Sequence, residues 1–115
     1  MSFTSVEDCL KEIENRYNSS DKIKKKLKDY SDPIQMTFLD TGRKALLLIN
    51  KDHGIETKLG EGDENAPVKI DFTSEQVMVD MFNKKIGGVK AYSSGKIKIV
   101  QGKARNLMKL RSIMF

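Results

Sequence analysis

Lys85-Ile86-Gly87-Gly88-Val89-Lys90-Ala91-Tyr92-Ser93-Ser94-Gly95-Lys96-Ile97-Lys98-Ile99-Val100-Gln101-Gly102, followed by Leu107-Met108-Lys109-Leu110, packs several elements into one short stretch. Gly87-Gly88 ends a helix, because glycine adopts the left-handed backbone that closes a last turn. A short helical turn over residues 89–92 follows, and Gly95 leads into a strand over 96–100. In that strand Ile97 and Ile99 face one way and Lys96 and Lys98 the other, so one side of the sheet meets water. A last helix from about residue 104 places Ala104, Leu107, Met108, Arg111 and Met114 near one another. No group in the stretch is suited to acid–base or nucleophilic work. It offers an apolar wall.

Upstream, Val6, Cys9, Leu10, Ile13 and Tyr17 recur at three- and four-residue intervals, the stripe of an amphipathic helix over 4–17. Thr4 and Glu7 have the spacing of a capping box. Asp21 caps a second helix reaching about residue 29, in which Lys22, Lys24, Lys25, Lys26 and Lys28 surround a narrow Ile23/Leu27/Tyr30 edge. Asp32-Pro33 stops it, since proline disfavours helical geometry in the residue before it. Strands are expected over 34–38, 44–50, 55–59 and 68–72, and their short connections indicate an antiparallel meander. Residues 60–66 form an acidic, solvated loop. Thr73 and Gln76 make a second capping box, opening a helix with Val77, Met78, Met81 and Phe82 on one side. The expected architecture is α+β: one domain over 1–115, with a single mostly antiparallel five-stranded sheet, helices packed on one face and the other face solvated.

A chain of 115 residues is long enough for one core without staples. Cys9 is the only cysteine, which rules out a disulfide framework. No apolar run approaches the roughly 18 residues of a membrane-spanning helix. The start lacks the basic and apolar regions of a secretory signal, and Ser112-Ile113-Met114-Phe115 is not the Ser-Lys-Leu peroxisomal signal. A cytoplasmic location is expected. The net charge of +5 favours phosphate-bearing partners. Nucleic acid is not expected, because no aromatic cluster lies within a basic strand to stack on bases.

Residues that often carry chemistry are isolated here. His53 falls in a turn between Asp52 and Gly54 with no second histidine. Cys9 lies on an apolar helix stripe and reads as a small buried hydrophobe. Glu61, Asp63 and Glu64 lack the alternation of a calcium loop. No glycine-rich phosphate loop follows a strand. Neither a catalytic residue, a metal nor a cofactor is expected.

The chain resembles the sterol carrier protein type two, or non-specific lipid-transfer, family. The matching residues are Lys85, Ile86, Ala91, Tyr92, Gly95, Lys96, Ile97, Lys98, Ile99, Gly102 and Leu107 to Leu110. The element order agrees over nearly the whole chain, and the motif itself begins near Pro67. Gly87-Gly88, Ser94 and Lys103-Ala104-Arg105 depart from the family pattern, which leaves a fatty acyl chain and a sterol-like ligand both open. The resemblance implies an apolar tunnel between sheet and helices and a non-enzymatic role in binding and transferring lipid. The implied lining is Phe72, Met78, Met81, Phe82, Ile86, Tyr92, Ile97, Ile99, Leu107 and Met108. A transient contact of the Lys22–Lys28 run with an anionic membrane surface is expected, as is a monomer. The terminal helix over 104–115 is expected to be a movable cover. The alternative is an accessory module whose groove grips a protein partner or presents substrate to an enzyme.

Overall fold

The computed structural model describes residues 2–28, 30, 32–50, 54–102, 105, 108, 110 and 113, the side chain of Asn50 apart. His53, Leu107, residue 29 and most of 104–115 lie outside the described residues.

Helices α1 (Val6–Asn18) and α2 (Asp21–Lys26) precede strands β1 (Ile34–Phe38), β2 (Lys44–Asn50), β3 (Gly54–Leu59) and β4 (Val68–Phe72). Helices α3 (Glu75–Phe82) and α4 (Gly88–Ser93) and strand β5 (Ile97–Gln101) follow. Residues 105, 108, 110 and 113 are helical.

The three long-range helix starts share one correction. Their caps are Ser5, Ser20 and Ser74, whose hydroxyls accept from Asp8 N–H at 3.2 Å, Ile23 N–H at 3.3 Å and Val77 N–H at 3.3 Å. Each stands one residue from the expected Thr4, Asp21 or Thr73. The reason is plain at Thr73, whose N–H is spent on Lys96 C=O at 2.9 Å as a rung between β4 and β5. The ladder therefore still holds the Thr73 amide just past β4, and the helix starts on the next oxygen. Thr4 is engaged differently: its N–H and hydroxyl both donate to Asp8 Oδ2. These bonds, the backbone one foremost, hold the Asp8 carboxyl below its ordinary range.

The sheet order is β3-β2-β1-β4-β5. The meander β1-β2-β3 is antiparallel, β4 pairs with β1 in parallel, and β5 returns antiparallel to β4. One parallel pair has a topological cost: the chain must cross from the β3 edge past β2 and β1 to reach β4. Helices fill the inner face, so the connection crosses the outer one. The acidic loop is thus not simply solvated. Asp63 N–H donates to Gln35 Oε1 at 2.8 Å, and Ala66 is fully buried. A Cβ on Gly62 would stand 2.9 Å from both Gln35 Oε1 and Lys44 Cδ, so the crossing needs a residue without a side chain there. Gln35, the only buried polar residue among those described, is the post on which the loop rests.

The inner face carries the core. Ile34, Met36, Phe38, Ala45, Leu47, Val68, Ile70, Phe72 and Ile97 meet the apolar stripe of α1, Leu27 and Tyr30 after α2, and Val77 to Phe82 of α3. Phe38 and Phe72 are register partners, with ring centroids 5.3 Å apart.

Helix α3 ends at Phe82 rather than at Gly87. Lys84 takes the left-handed conformation (φ 62°), its N–H bonds Met81 C=O at 3.1 Å, and Lys85 N–H bonds Asp80 C=O at 2.8 Å. This is a Schellman closure built on lysine where glycine is usual. Gly87 instead caps the start of α4. The terminal helix is also turned from its expected phase: Leu110 and Ile113 are buried, while Met108 is 63% exposed. Apolar residues occur all round that segment, so periodicity could not choose its face.

Candidate functional site

The ten apolar candidates divide by position. Phe72 and Ile97, neighbours across the β4–β5 ladder, join Met78, Met81 and Phe82 of α3 in the buried cluster. Ile86 and Ile99 are half-buried against its margin. Tyr92 and Met108 do not join it: they are 47% and 63% exposed. On α4 the residue turned inward is Ala91, one position before Tyr92, because a six-residue helix can seat only one narrow edge on the sheet. Leu107 lies outside the described residues.

The α3 end of this cluster is closed by groups that no spacing in the sequence marks. Asn83 pairs with the backbone of Phe3 in both directions, Oδ1 accepting from Phe3 N–H at 2.7 Å and Nδ2 donating to Phe3 C=O at 2.8 Å. The Phe3 ring then stands edge-on to Phe82, 5.6 Å between centroids. The Arg16 guanidinium lies over the same Phe82 ring at 4.9 Å and reaches Ile113 C=O at 3.4 Å. Phe82 is thereby held from the N-terminal segment, from α1 and, through Arg16, from the last helix. A shallow depression of about 340 Å³ adjoins Phe3, lined also by Ser2, Asp8, Lys11, Glu12 and Asn15. None of the ten candidates lines it.

Burial holds two titratable groups of the interior in their neutral forms. Burial pushes the Cys9 thiol up to about 12, so it stays protonated and unreactive near neutrality. Burial pushes the Tyr30 hydroxyl up to about 12 as well, and among the described residues nothing bonds it. No group of three or more His, Cys, Asp or Glu among the described residues could hold a metal ion. The densest charge cluster lies outside the core: Arg43 Nε and Nη2 clamp Glu75 at 2.9 and 2.6 Å, Nη2 reaches Glu7 at 2.9 Å, and the Thr41 hydroxyl donates to Glu75 at 2.5 Å. These bonds raise the Arg43 pKa and lower that of Glu75, Arg43 being the main cause of the latter. The cluster ties the β1–β2 turn to α1 and α3.

No family model matches this sequence, and no curated protein sequence does. The architecture does match solved structures. A crystal structure of sterol carrier protein 2 superposes with a TM-score of 0.68 at 13% identity, over 96% of this chain and 88% of that one. Palmitated SCP2L2 from Aedes aegypti gives 0.68 at 17% identity, over 96% and 95%. The sec-alkylsulfatase Pisa1 from Pseudomonas sp. gives 0.65 at 14% identity, where 79% of this chain covers only 14% of that enzyme. At such identities the likeness is one of fold, and the fold is that of sterol carrier protein 2: a five-stranded, mostly antiparallel sheet with helices on one face. No helix among the described residues is long and apolar enough to cross a membrane.

Proposed function

We propose that this chain is a lipid-binding domain without enzymatic activity, which takes the apolar part of a fatty acyl or sterol-like lipid between its sheet and its helical layer and transfers it. The observation that carries the reading is the fold shared, nearly end to end, with sterol carrier protein 2 structures, one of them palmitated. Met78, Met81, Phe82, Phe72 and Ile97 supply the apolar wall, with Ile86 and Ile99 at its margin. Methionine suits the task, because its unbranched thioether repacks around chains of different shape. Burying an acyl chain yields about 0.8 kcal/mol per methylene. Roughly ten methylenes therefore reach micromolar affinity with no polar anchor. Lys22, Lys24, Lys25, Lys26 and Lys28, all exposed, bring the domain to an anionic bilayer for loading.

Native mass spectrometry of the purified protein tests the reading. A co-purified lipid, displaced by a fluorescent fatty acid, is the expected result. A chain that stays empty and ignores the fatty acid overturns it. One observation favours a second reading, an accessory module that presents substrate or grips a partner: the same fold occurs as a small part of the much longer alkylsulfatase. A stable complex with an enzyme, formed by the empty protein, is the outcome that reading requires.

A further inference from the structure

The two edges of the sheet are finished differently. Along β3 two outward amides are occupied by α1: Asn18 Oδ1 accepts from Ile55 N–H at 3.2 Å, and Glu14 Oε2 accepts from Thr57 N–H at 2.9 Å and from the Thr57 hydroxyl at 3.2 Å. The helix comes so close that a Cβ on Gly54 would fall 2.3 Å from Asn18 Oδ1. That edge cannot take another strand without losing α1.

β5 forms the opposite edge. Thr73 N–H bonds Lys96 C=O, and Lys98 stands opposite Asp71 in the ladder. The alternation of an antiparallel pair then turns the N–H and C=O groups of Ile97 and Ile99 outward. Among the described residues, neither backbone nor side-chain groups bond them. Lys96 and Lys98 are exposed and form no ion pair with a described residue, and Val100 beyond them is 55% exposed.

We propose that the β5 edge docks an extended peptide strand of a partner protein, one in which acidic and apolar residues alternate. Such a strand continues the ladder through Ile97 and Ile99. Its apolar side chains fall on the inner face, where they cover half-buried Ile99. Its carboxylates fall on the outer face, beside Lys96 and Lys98. A second copy of the chain is the poorer occupant, since edge-to-edge pairing gathers Lys96 and Lys98 of both copies on one face of the joined sheet. The ladder groups point away from the core, and Ile99 is the one residue the docked strand shares with the lipid wall proposed above.

The test is amide hydrogen exchange by NMR on the full chain, with a synthetic peptide of alternating valine and glutamate as probe and a valine–lysine peptide as control. The valine–glutamate peptide is expected to slow exchange at Ile97 and Ile99 at least tenfold. Lys98→Glu, which faces Asp71 across the ladder and is therefore read only where its own melt shows it folded, is expected to weaken that peptide at least tenfold and to favour the lysine peptide. Ile99→Pro, which deletes one outward donor, is expected to abolish binding. Unchanged exchange at both amides overturns the proposal, as does slow exchange in the free protein, which means the edge is already covered. Equal binding by Lys98→Glu overturns the acidic partner, and concentration-dependent protection without peptide makes the occupant a second copy.

Discussion

The two faces of β1 bury their side chains by different means. Ile34, Met36 and Phe38 on the inner face are shut off from water by the bulk of three helices and of one another. Gln35, between them on the outer face, is nearly as buried, yet beneath a single loop whose Asp63 N–H donates to its side chain and whose Glu64 C=O accepts from Lys69 Nζ. Inner burial is a matter of volume and outer burial a matter of polarity. Changes on the two faces should therefore fail in different ways, and the same difference separates a dry core from a wall that accepts ligand.

The largest expected effect is on the inner face. Phe72→Ala should lower unfolding free energy by about 3–5 kcal/mol in urea melts, whereas Lys98→Ala, across the ladder on the outer face, should stay within about 0.5 kcal/mol. A much smaller loss at Phe72 would mean that its ring borders space rather than packed neighbours, which sharpens the case for a ligand wall.

Met81→Glu separates the two kinds of interior directly. In a dry core an unpaired carboxylate costs several kcal/mol and the cooperative melt is lost. In a wall that opens to a ligand, the carboxylate finds water. The expected outcome is a retained melt with affinity for a fluorescent fatty acid reduced at least tenfold; loss of the melt assigns Met81 to the core alone.

On the outer face, Gln35→Ala removes the acceptor for Asp63 N–H and should cost about 1–2 kcal/mol. Exchange of the Asp63 amide should quicken while the inner-face amides of β1 stay slow. If they quicken together, the loop and the sheet open as one unit and the contrast between faces fails.

The smallest effect belongs to the exposed network at the β1–β2 turn. The Glu75 carboxyl is held below its ordinary range, by Arg43 above all. Its contribution is therefore present above the unfolded value near pH ~4.3 and is lost as pH falls through the lower folded value. Because Arg43 and Glu75 are partly solvated, solvent and salt screen the contribution heavily. Melts between about pH 5 and 3 should decline less steeply in Arg43→Ala than in the parent chain; identical slopes would leave the network without a measurable role.

The apolar inner face was legible because period-two and period-3.6 patterns mark which side of a strand or helix is apolar, and Phe72, Met78, Met81, Phe82 and Ile97, all buried, follow those periods. The terminal helix was not, because apolar residues surround it and only packing selects Leu110 and Ile113 over Met108. Helix starts were readable to within one residue, and the last step depended on hydrogen bonds already committed elsewhere, as at Thr73.

Local pattern therefore determined the elements, their apolar sides and the meander. Tertiary structure decided the parallel β1–β4 pairing, the path of the acidic loop over Gln35, the closure of Phe82 by Phe3, Asn83 and Arg16, and the bonding of α1 to the β3 edge. The physical reason is range. Side-chain periodicity is set by neighbours a few residues apart, whereas Phe3 meets Asn83 and Glu14 meets Thr57 only after the chain has folded, and no spacing rule joins residues 80 or 43 positions apart.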